Sequence, residues 1–133
     1  MSDIKEMLTR HEGKRYKPYE DTVGKMTIGI GRNLDDVGLS DSEIDLLFAN
    51  DLAVTKAWVS VNLHCFMGLS PNRQNVLLDM AFNLRGRLLG FTNFLAALNA
   101  GDYEKAATEM LDSVWSKQVK ERAIELAEMM RQG

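Results

Sequence analysis

The sequence has few of the residues that build disulfide frameworks or metal sites. Its 133 residues include one cysteine, Cys65, and two histidines, His11 and His64. A single cysteine excludes an internal disulfide and fits synthesis in a reducing compartment. No zinc-ligand spacing and no phosphate-binding glycine loop are present, so we expect neither a metal ion nor another cofactor.

Long apolar runs are also missing. No stretch approaches the roughly 18 residues that a membrane span requires, and residues 1–8 lack the apolar core of a signal peptide. We therefore expect a protein without a membrane anchor or an export signal. A hydrophobic content of 45% and a charged content of 26% are typical of soluble globular proteins. The length suits one domain, or two small lobes around a shared helix.

An excess of positive charge is absent. The net charge is −3, with seven Lys/Arg against eleven Asp/Glu in residues 1–51 and nine against eight in residues 52–133. Proteins that bind nucleic acids usually present a basic face. The charge distribution therefore argues against a nucleic-acid partner.

The most informative stretch is residues 12–31. Residues 3–12 show helical spacing of apolar side chains, and Gly13 lets the chain leave that helix. Residues 16–19 are typical of an extended segment, residues 21–24 of a turn, and residues 26–31 of a returning strand. This hairpin would bring Asp21 and Thr27 back beside Glu12.

A carboxylate pair in this position has two interpretations. Glu12 lies four residues after Leu8, on the same apolar stripe of its helix, so its side chain is expected to be partly desolvated and suited to donate a proton. The alternative is an exposed glutamate at a helix end. Two carboxylates beside a hairpin are compatible with glycoside hydrolysis. They are equally compatible with an ion-pair network.

The helices of the rest of the chain can be predicted from caps and periodicity. Ser40 and Glu43 form a capping box before a long helix that reaches about residue 61. Asp51 is the one charge on its predicted apolar stripe, with Arg32 as a candidate partner unless Asp51 lies at the stripe edge in water. The stripe comprises Ile44, Leu47, Asp51, Val54, Trp58 and Val61.

Further helices are expected after Ser70, over residues 92–99, after Asp102 and over residues 120–131, with Trp115 in a short connector. The predicted fold class is therefore α+β, mostly helical. The core-facing residues expected in these helices are Val76, Leu77, Met80, Ala81, Leu84, Tyr103, Ala106, Ala107, Met110, Leu111, Ala123, Leu126, Ala127 and Met130.

One motif points to a family. The pattern Glu12-Gly13, then Tyr19-x-Asp21-Thr22-x-Gly24-x-x-Thr27-Ile28-Gly29-Ile30-Gly31, resembles the catalytic signature of phage-type lysozymes, the T-even phage lysozyme-like muramidase endolysins of glycoside hydrolase family 24. The resemblance continues through residues 48–51, 80–83, 90–93 and 115–122, and so covers nearly the whole chain.

The resemblance implies a single lysozyme-like domain over residues 1–133. A small hairpin lobe would occupy about residues 13–50. A helical lobe would comprise about residues 60–133 and the N-terminal helix, and the long helix would join the two lobes.

The resemblance also implies a reaction, hydrolysis of the β-1,4 bond between N-acetylmuramic acid and N-acetylglucosamine in bacterial peptidoglycan, leading to host cell lysis. Glu12 would be the general acid, Asp21 would stabilise the oxocarbenium-like transition state, and Thr27 would position the attacking water. The family reaction inverts the anomeric centre.

Further expectations concern binding and location. Gly31, Phe82 and Asn83 would line the substrate cleft, and Arg122 would approach Glu12 from the helical lobe. Peptidoglycan glycan strands would be the partner of a monomeric enzyme that needs no cofactor. The enzyme would accumulate in the host cytoplasm and reach the periplasm and cell wall through a holin.

The sequence also departs from the family pattern. Arg32 replaces a common histidine, so a structural ion pair of Arg32 with Asp51 is predicted, and it would not titrate near neutral pH. His11 stands where an acidic residue is familiar. The segment before the long helix is shorter by roughly 20 residues, as surface loops tolerate, and the acidic N-terminal part puts cell-wall affinity in doubt.

Two alternative functions remain open. A lytic transglycosylase would cleave the same bond without water, and the pair of Asp21 and Thr27 favours the hydrolase over it. A catalytically silent wall-binding module is the second alternative. The intact set of Glu12, Asp21 and Thr27 counts against that module.

Overall fold

The computed structural model describes residues 3–133 and divides the chain into two compact units. The first unit ends at Phe48 and the second comprises Ala49–Gly133. The boundary falls inside the long helix, which contributes residues to both units. Among the described residues, no helix combines the length and the apolar character needed to cross a membrane.

The first unit begins with helix α1, Ile4–Glu12. The Asp3 carboxylate caps its start by accepting a hydrogen bond from the Lys5 backbone N–H at 3.0 Å. Gly13 ends it with φ +82°, and its N–H donates to the Thr9 carbonyl. The predicted exit at this glycine is confirmed, because only glycine takes such a φ at little cost.

A three-stranded antiparallel sheet follows, in the order β1-β2-β3. Its strands are β1 (Arg15–Glu20), β2 (Met26–Gly29) and β3 (Arg32–Asn33). The hairpin of β1 and β2 matches the prediction, but the returning strand stops at Gly29 rather than at Gly31. Gly29 and Gly31 have φ of +68° and +73°, which turns the chain back into β3.

Helix α2, Asp41–Asn62, starts at the predicted capping box. The Ser40 hydroxyl accepts from the Glu43 N–H, and the Glu43 carboxylate accepts from the Ser40 N–H. The predicted apolar stripe is wrong, because Val59 is the buried residue of this helix. The stripe's hydrophobic members other than Trp58 are between 49% and 74% exposed.

The second unit is helical. Short 3₁₀ turns cover Phe66–Gly68 and Arg85–Gly90, and the α-helices after α2 are α3 (Pro71–Leu84), α4 (Thr92–Asn99), α5 (Tyr103–Leu111), α6 (Val114–Val119) and α7 (Glu121–Gln132). The predicted caps Ser70 and Asp102 accept hydrogen bonds from the N–H groups of Arg73 and Lys105. Trp115 lies in α6 and is buried, where a connector was predicted.

The buried hydrophobic core lies between Val59 and Met130. The predicted core faces of α3 and α7 are confirmed, since all nine of their named residues are buried. In α5 the prediction fails at Leu111, which is 37% exposed. Arg73 fastens α3 to the end of α7: its guanidinium donates to the carbonyls of Met130 and Arg131 and lies 3.6 Å from the ring centre of Tyr103.

Candidate active site

The carboxyl group of Glu12 lies against the backbone of Gly31. A Cβ atom placed on Gly31 would be 3.0 Å from both Cδ and Oε2 of Glu12. Real Cβ atoms rarely approach other atoms so closely, so a larger residue here would displace the carboxyl group. The Glu12 side chain is exposed, so the predicted desolvation of this carboxyl group is wrong. The residue at position 31 therefore limits where this carboxyl group can lie.

Asp21 is held at the turn that follows β1. Its Oδ1 atom accepts hydrogen bonds from the backbone N–H groups of Val23 and Lys25, both at 2.9 Å. Within residues 3–133, no donor contacts its Oδ2 atom. One carboxylate oxygen thus fixes the side chain, and the other is left for an external group.

Thr27 is 4% exposed and is the buried residue of the sheet. It lies on the central strand, opposite Tyr19 of β1 and Asn33 of β3. Its hydroxyl donates to the Lys25 carbonyl at 2.9 Å. The hydroxyl oxygen keeps acceptor capacity, so Thr27 offers a rigidly placed oxygen close to the turn that holds Asp21.

Arg32 requires a correction. Its predicted partner was Asp51, but in the structure the guanidinium pairs with Glu43. Both Arg32 terminal nitrogens contact the two Glu43 carboxylate oxygens, at 2.7 and 2.5 Å, and one of them also donates to the Gly38 carbonyl. This two-pronged geometry suits the planar guanidinium. The capping glutamate therefore connects the start of α2 to β3.

This ion pair is strong enough to alter proton binding. The hydrogen bond from Arg32, followed by those from the Ser40 backbone and hydroxyl, lowers the pKa of Glu43 to about 2. The hydrogen bond to Glu43 raises the pKa of Arg32 above its usual value. Both groups stay charged across the neutral range, as the sequence predicted for Arg32.

The second unit holds the other candidate binding residues. Phe82 and Asn83 are exposed residues near the end of α3. The indole N–H of Trp115 donates to Asn83 Oδ1 at 2.8 Å. Trp115 also meets Phe91 edge-on, with ring centres 6.3 Å apart. Because its oxygen accepts from Trp115, the amide N–H groups of Asn83 are the part of the side chain left to bind a ligand.

Arg122, near the start of α7, is tied to α3. Its Nε donates to Asp79 Oδ1 at 2.7 Å, and a terminal nitrogen contacts the same oxygen at 2.7 Å. A second bond reaches the Asp79 carbonyl at 3.3 Å. The approach of Arg122 to Glu12 stays a prediction, since the two residues belong to different units.

A cavity of about 310 Å³ lies in the second unit. Asp51 and Phe82 both line it, so it brings together two of the residues selected from the sequence. The other lining residues are Val54, Thr55, Trp58, Ala81, Arg85 and Gly86. This volume is at the lower end of the range for small-molecule sites.

Three residues that hold candidate site residues in place were not identified from the sequence. They are Glu43, Asp79 and Trp115, which contact Arg32, Arg122 and Asn83. The pairing of Glu43 could have been predicted, because a capping-box glutamate has a second carboxylate oxygen that can accept from a cation. Asp79 and Trp115 contact residues 43 and 32 positions away along the chain. Local spacing has no means of revealing such contacts.

Comparison with known proteins identifies a family. The model of the family described as phage lysozyme matches residues 9–131. That range contains Glu12, Asp21 and Thr27 as well as the helices of the second unit. The match therefore covers both the candidate site and the fold.

Individual relatives include one much longer protein and two of a length closer to that of this chain. The pre-baseplate central spike protein Gp5 of Enterobacteria phage T4 is 33% identical over 89% of this chain, which matches 26% of that protein. An endolysin of Acyrthosiphon pisum secondary endosymbiont phage 1 is 27% identical over 84% of this chain and 75% of its own length. A protein named Probable T4-type lysozyme 1, from Dictyostelium discoideum, is 26% identical over 100% of this chain and 96% of its own.

Proposed function

This chain belongs to the phage lysozyme family, and on that basis we propose that it is a muramidase, which hydrolyses the β-1,4 bond between N-acetylmuramic acid and N-acetylglucosamine in peptidoglycan. The family match over residues 9–131 supports a peptidoglycan-degrading lysozyme.

Glu12 is the general acid that protonates the glycosidic oxygen. The observation that carries this role is the contact of its carboxyl group with the Gly31 backbone. A proton donor must lie within hydrogen-bond reach of the leaving oxygen, and a glycine beside it leaves room for a sugar to approach. Restricting the donor in this way reduces the reorganisation needed in the transition state.

Asp21 and Thr27 act on the other reacting groups. The Oδ2 atom of Asp21 offers negative charge to the oxocarbenium-like transition state while Oδ1 stays bound to the turn. Thr27 accepts a hydrogen bond from the attacking water through its buried hydroxyl oxygen. An ionised carboxylate and a hydroxyl together suit the water-dependent reaction of an inverting glycosidase.

Product analysis tests this function. Purified peptidoglycan is digested with the wild-type protein and with Glu12→Gln, which keeps the shape of the side chain but has no acidic proton. Mass spectrometry of the fragments is expected to find reducing muramic ends from the wild type and almost none from the variant. Anhydromuramic ends would assign the chain to the lytic transglycosylases. Tight binding to peptidoglycan without any products would identify a wall-binding module.

The biological setting is part of the proposal. The likeness to a protein named endolysin supports a role in host cell lysis. The enzyme would accumulate in the host cytoplasm and reach the wall through a holin. In a host that carries an inducible holin gene, the protein is expected to cause lysis only after holin induction. Lysis that is independent of the holin would contradict this route.

A further inference from the structure

Positive charge in the first unit is concentrated in one short segment. Residues 10–17 hold four Lys/Arg and one Glu, whereas the rest of residues 1–48 hold three Lys/Arg and nine Asp/Glu. The acidic residues lie mainly at the start of α1, in the turns of the sheet and at the start of α2, whereas the end of α1 and most of β1 carry a basic balance. The net charge of −3 conceals this separation.

The cations of this segment are not neutralised by their neighbours. Lys14, Arg15 and Lys17 are exposed, and within residues 3–133 the ion pairs involve none of them. Nine carboxylates in the same unit would have allowed such pairing. Cations that are close together and unpaired raise the local potential, which favours an anionic partner.

Aromatic rings organise these cations. The Lys14 ammonium lies 5.5 Å from the ring centre of Tyr16, and the Arg15 guanidinium lies 5.0 Å from that of Tyr19. Tyr16 is 82% exposed although it is a large ring. Lys14 directly precedes β1, and the other three residues lie on it. β1 is an edge strand of the sheet, so one of its edges is not paired with another strand. The segment Lys14–Tyr19, here named the basic strand, thus combines three cations and two tyrosine rings in one extended stretch.

We propose that the basic strand binds the carboxylate-bearing stem peptides of a peptidoglycan strand, with Tyr16 packed against the face of a sugar ring. This inference rests on the proposed function for the identity of the polymer. Lys14 and Lys17 contact peptide carboxylates, and the exposed ring of Tyr16 contacts the apolar face of the glycan. A protein with a negative net charge in this way gains a local attraction to an anionic wall.

The position of the basic strand favours this partner over other polyanions. β1 begins three residues after Glu12, so a polymer cleaved at Glu12 passes close to Lys14 and Arg15. The acidic remainder of the unit would repel a duplex nucleic acid or an anionic bilayer, whose charge extends over a wide surface. A single substituted glycan chain needs only the narrow track that the basic strand provides.

Binding is measured by sedimentation with insoluble peptidoglycan that carries no teichoic acid, in the Glu12→Gln background, so that the polymer stays intact. Lys14→Gln together with Lys17→Gln is expected to raise Kd roughly five-fold, as two exposed charge contacts provide. The Kd of this double variant should also change less with salt concentration than the Kd of the protein with both lysines. Lys56→Gln together with Lys105→Gln removes the same charge from exposed positions of the second unit, and should leave Kd unchanged.

Two further comparisons identify the binding group. The double variant Lys14→Gln/Lys17→Gln is called the basic-strand pair, and Glu12→Gln alone is the background protein. On glycan strands freed of stem peptides by an amidase, the basic-strand pair should bind as tightly as the background protein. Tyr16→Ser should still weaken binding to these strands. Circular dichroism checks that each variant is folded. Equal effects of the two lysine pairs on intact peptidoglycan, or an undiminished effect of the basic-strand pair on peptide-free glycan, would overturn the proposal. So would tighter binding to duplex DNA or to vesicles with anionic lipid than to peptidoglycan.

Hydrolysis is measured separately with Glu12 intact. The basic-strand pair should cleave peptide-free glycan at the wild-type rate. Absence of hydrolysis by every protein would contradict the proposed function, whereas the binding comparison would still decide whether the basic strand recognises the stem peptides.

Discussion

The Glu12 carboxyl group and the Gly31 backbone share a space that no larger residue at position 31 can enter without moving the acid. The Cβ of an alanine there would lie 3.0 Å from Glu12 Cδ. Gly29 offers a matched comparison, because it has a similar φ of +68° but no atom within 4 Å of an added Cβ. The two glycines thus separate backbone strain from displacement of the acid.

Gly31→Ala is expected to reduce kcat by about 100-fold, the effect that a misplaced catalytic group can have. Both substitutions should lower the free energy of unfolding by about 1 kcal/mol, since either alanine would have to adopt a positive φ. Gly29→Ala therefore serves as the control for this strain. It should retain most activity. Peptidoglycan hydrolysis and thermal unfolding of both variants check this; equal losses of activity would show that strain alone is responsible.

Asp21 fixes the turn after β1 and has a proposed catalytic role, and two substitutions can separate the two. Asp21→Asn retains an oxygen for the N–H groups of Val23 and Lys25 but removes the negative charge, so we expect stability close to that of the wild type and little activity. Asp21→Ala removes the acceptor as well, and should also cost about 1–2 kcal/mol of stability. Chemical denaturation and hydrolysis rates are measured together. An active Asp21→Asn protein would contradict the catalytic role.

The pair of Arg32 and Glu43 predicts a dependence of stability on pH. The pKa of Glu43 is about 2 in the folded state, against 4.5 for an unperturbed glutamate. The ionised carboxylate therefore contributes its full stabilisation at pH values above 4.5. This contribution is lost as the pH falls towards 2. The difference in melting temperature between wild type and Glu43→Gln should therefore shrink from pH 5 towards pH 2.

Glu20→Gln, at an exposed position of β1 without an ion pair among residues 3–133, is the control and should show no such trend. The Glu43 effect should also weaken in high salt, because the pair is partly exposed. A constant difference for Glu43→Gln across this pH range would contradict the ion pair.

Asn83 is a candidate substrate-binding residue and also accepts a hydrogen bond from the buried Trp115. Asn83→Asp keeps an acceptor for the indole N–H but removes the amide donors, so KM should rise several-fold while the fold is maintained. Asn83→Ala leaves the indole N–H unpaired, which should cost about 1–3 kcal/mol of stability. Steady-state kinetics and denaturation distinguish the two. An unchanged KM for Asn83→Asp would exclude the amide from substrate binding.

Local chemistry accounts for what the sequence predicted well. Ser40, Ser70 and Asp102 cap helices where expected, because a cap is decided by the few residues around it. The end of β2 was misplaced because two glycines with positive φ interrupt a pattern that otherwise alternates like a strand. The stripe of α2 failed for a different reason: periodicity identifies a face of a helix but not whether another element covers it.

The candidate site was predicted in part. Glu12, Asp21, Thr27 and Gly31 come from one short stretch of sequence, and the structure brings Gly31 against Glu12. The placement of Asp21 and Thr27 beside Glu12 stays a prediction. The partners of Arg32, Asn83 and Arg122 depend on contacts between distant parts of the chain. Arg32 was assigned to the wrong carboxylate because Glu43 already had a local role at the helix start.

The central claim is that Glu12 protonates a glycosidic bond that water then cleaves. The most direct test is digestion of peptidoglycan in water enriched in heavy oxygen, with mass analysis of the new ends. The account predicts one heavy oxygen on each new muramic reducing end, formed by the wild type and slowed by 100-fold or more in Glu12→Gln, the range for loss of a general acid. Products without the label, or products formed equally fast by the variant, would contradict it.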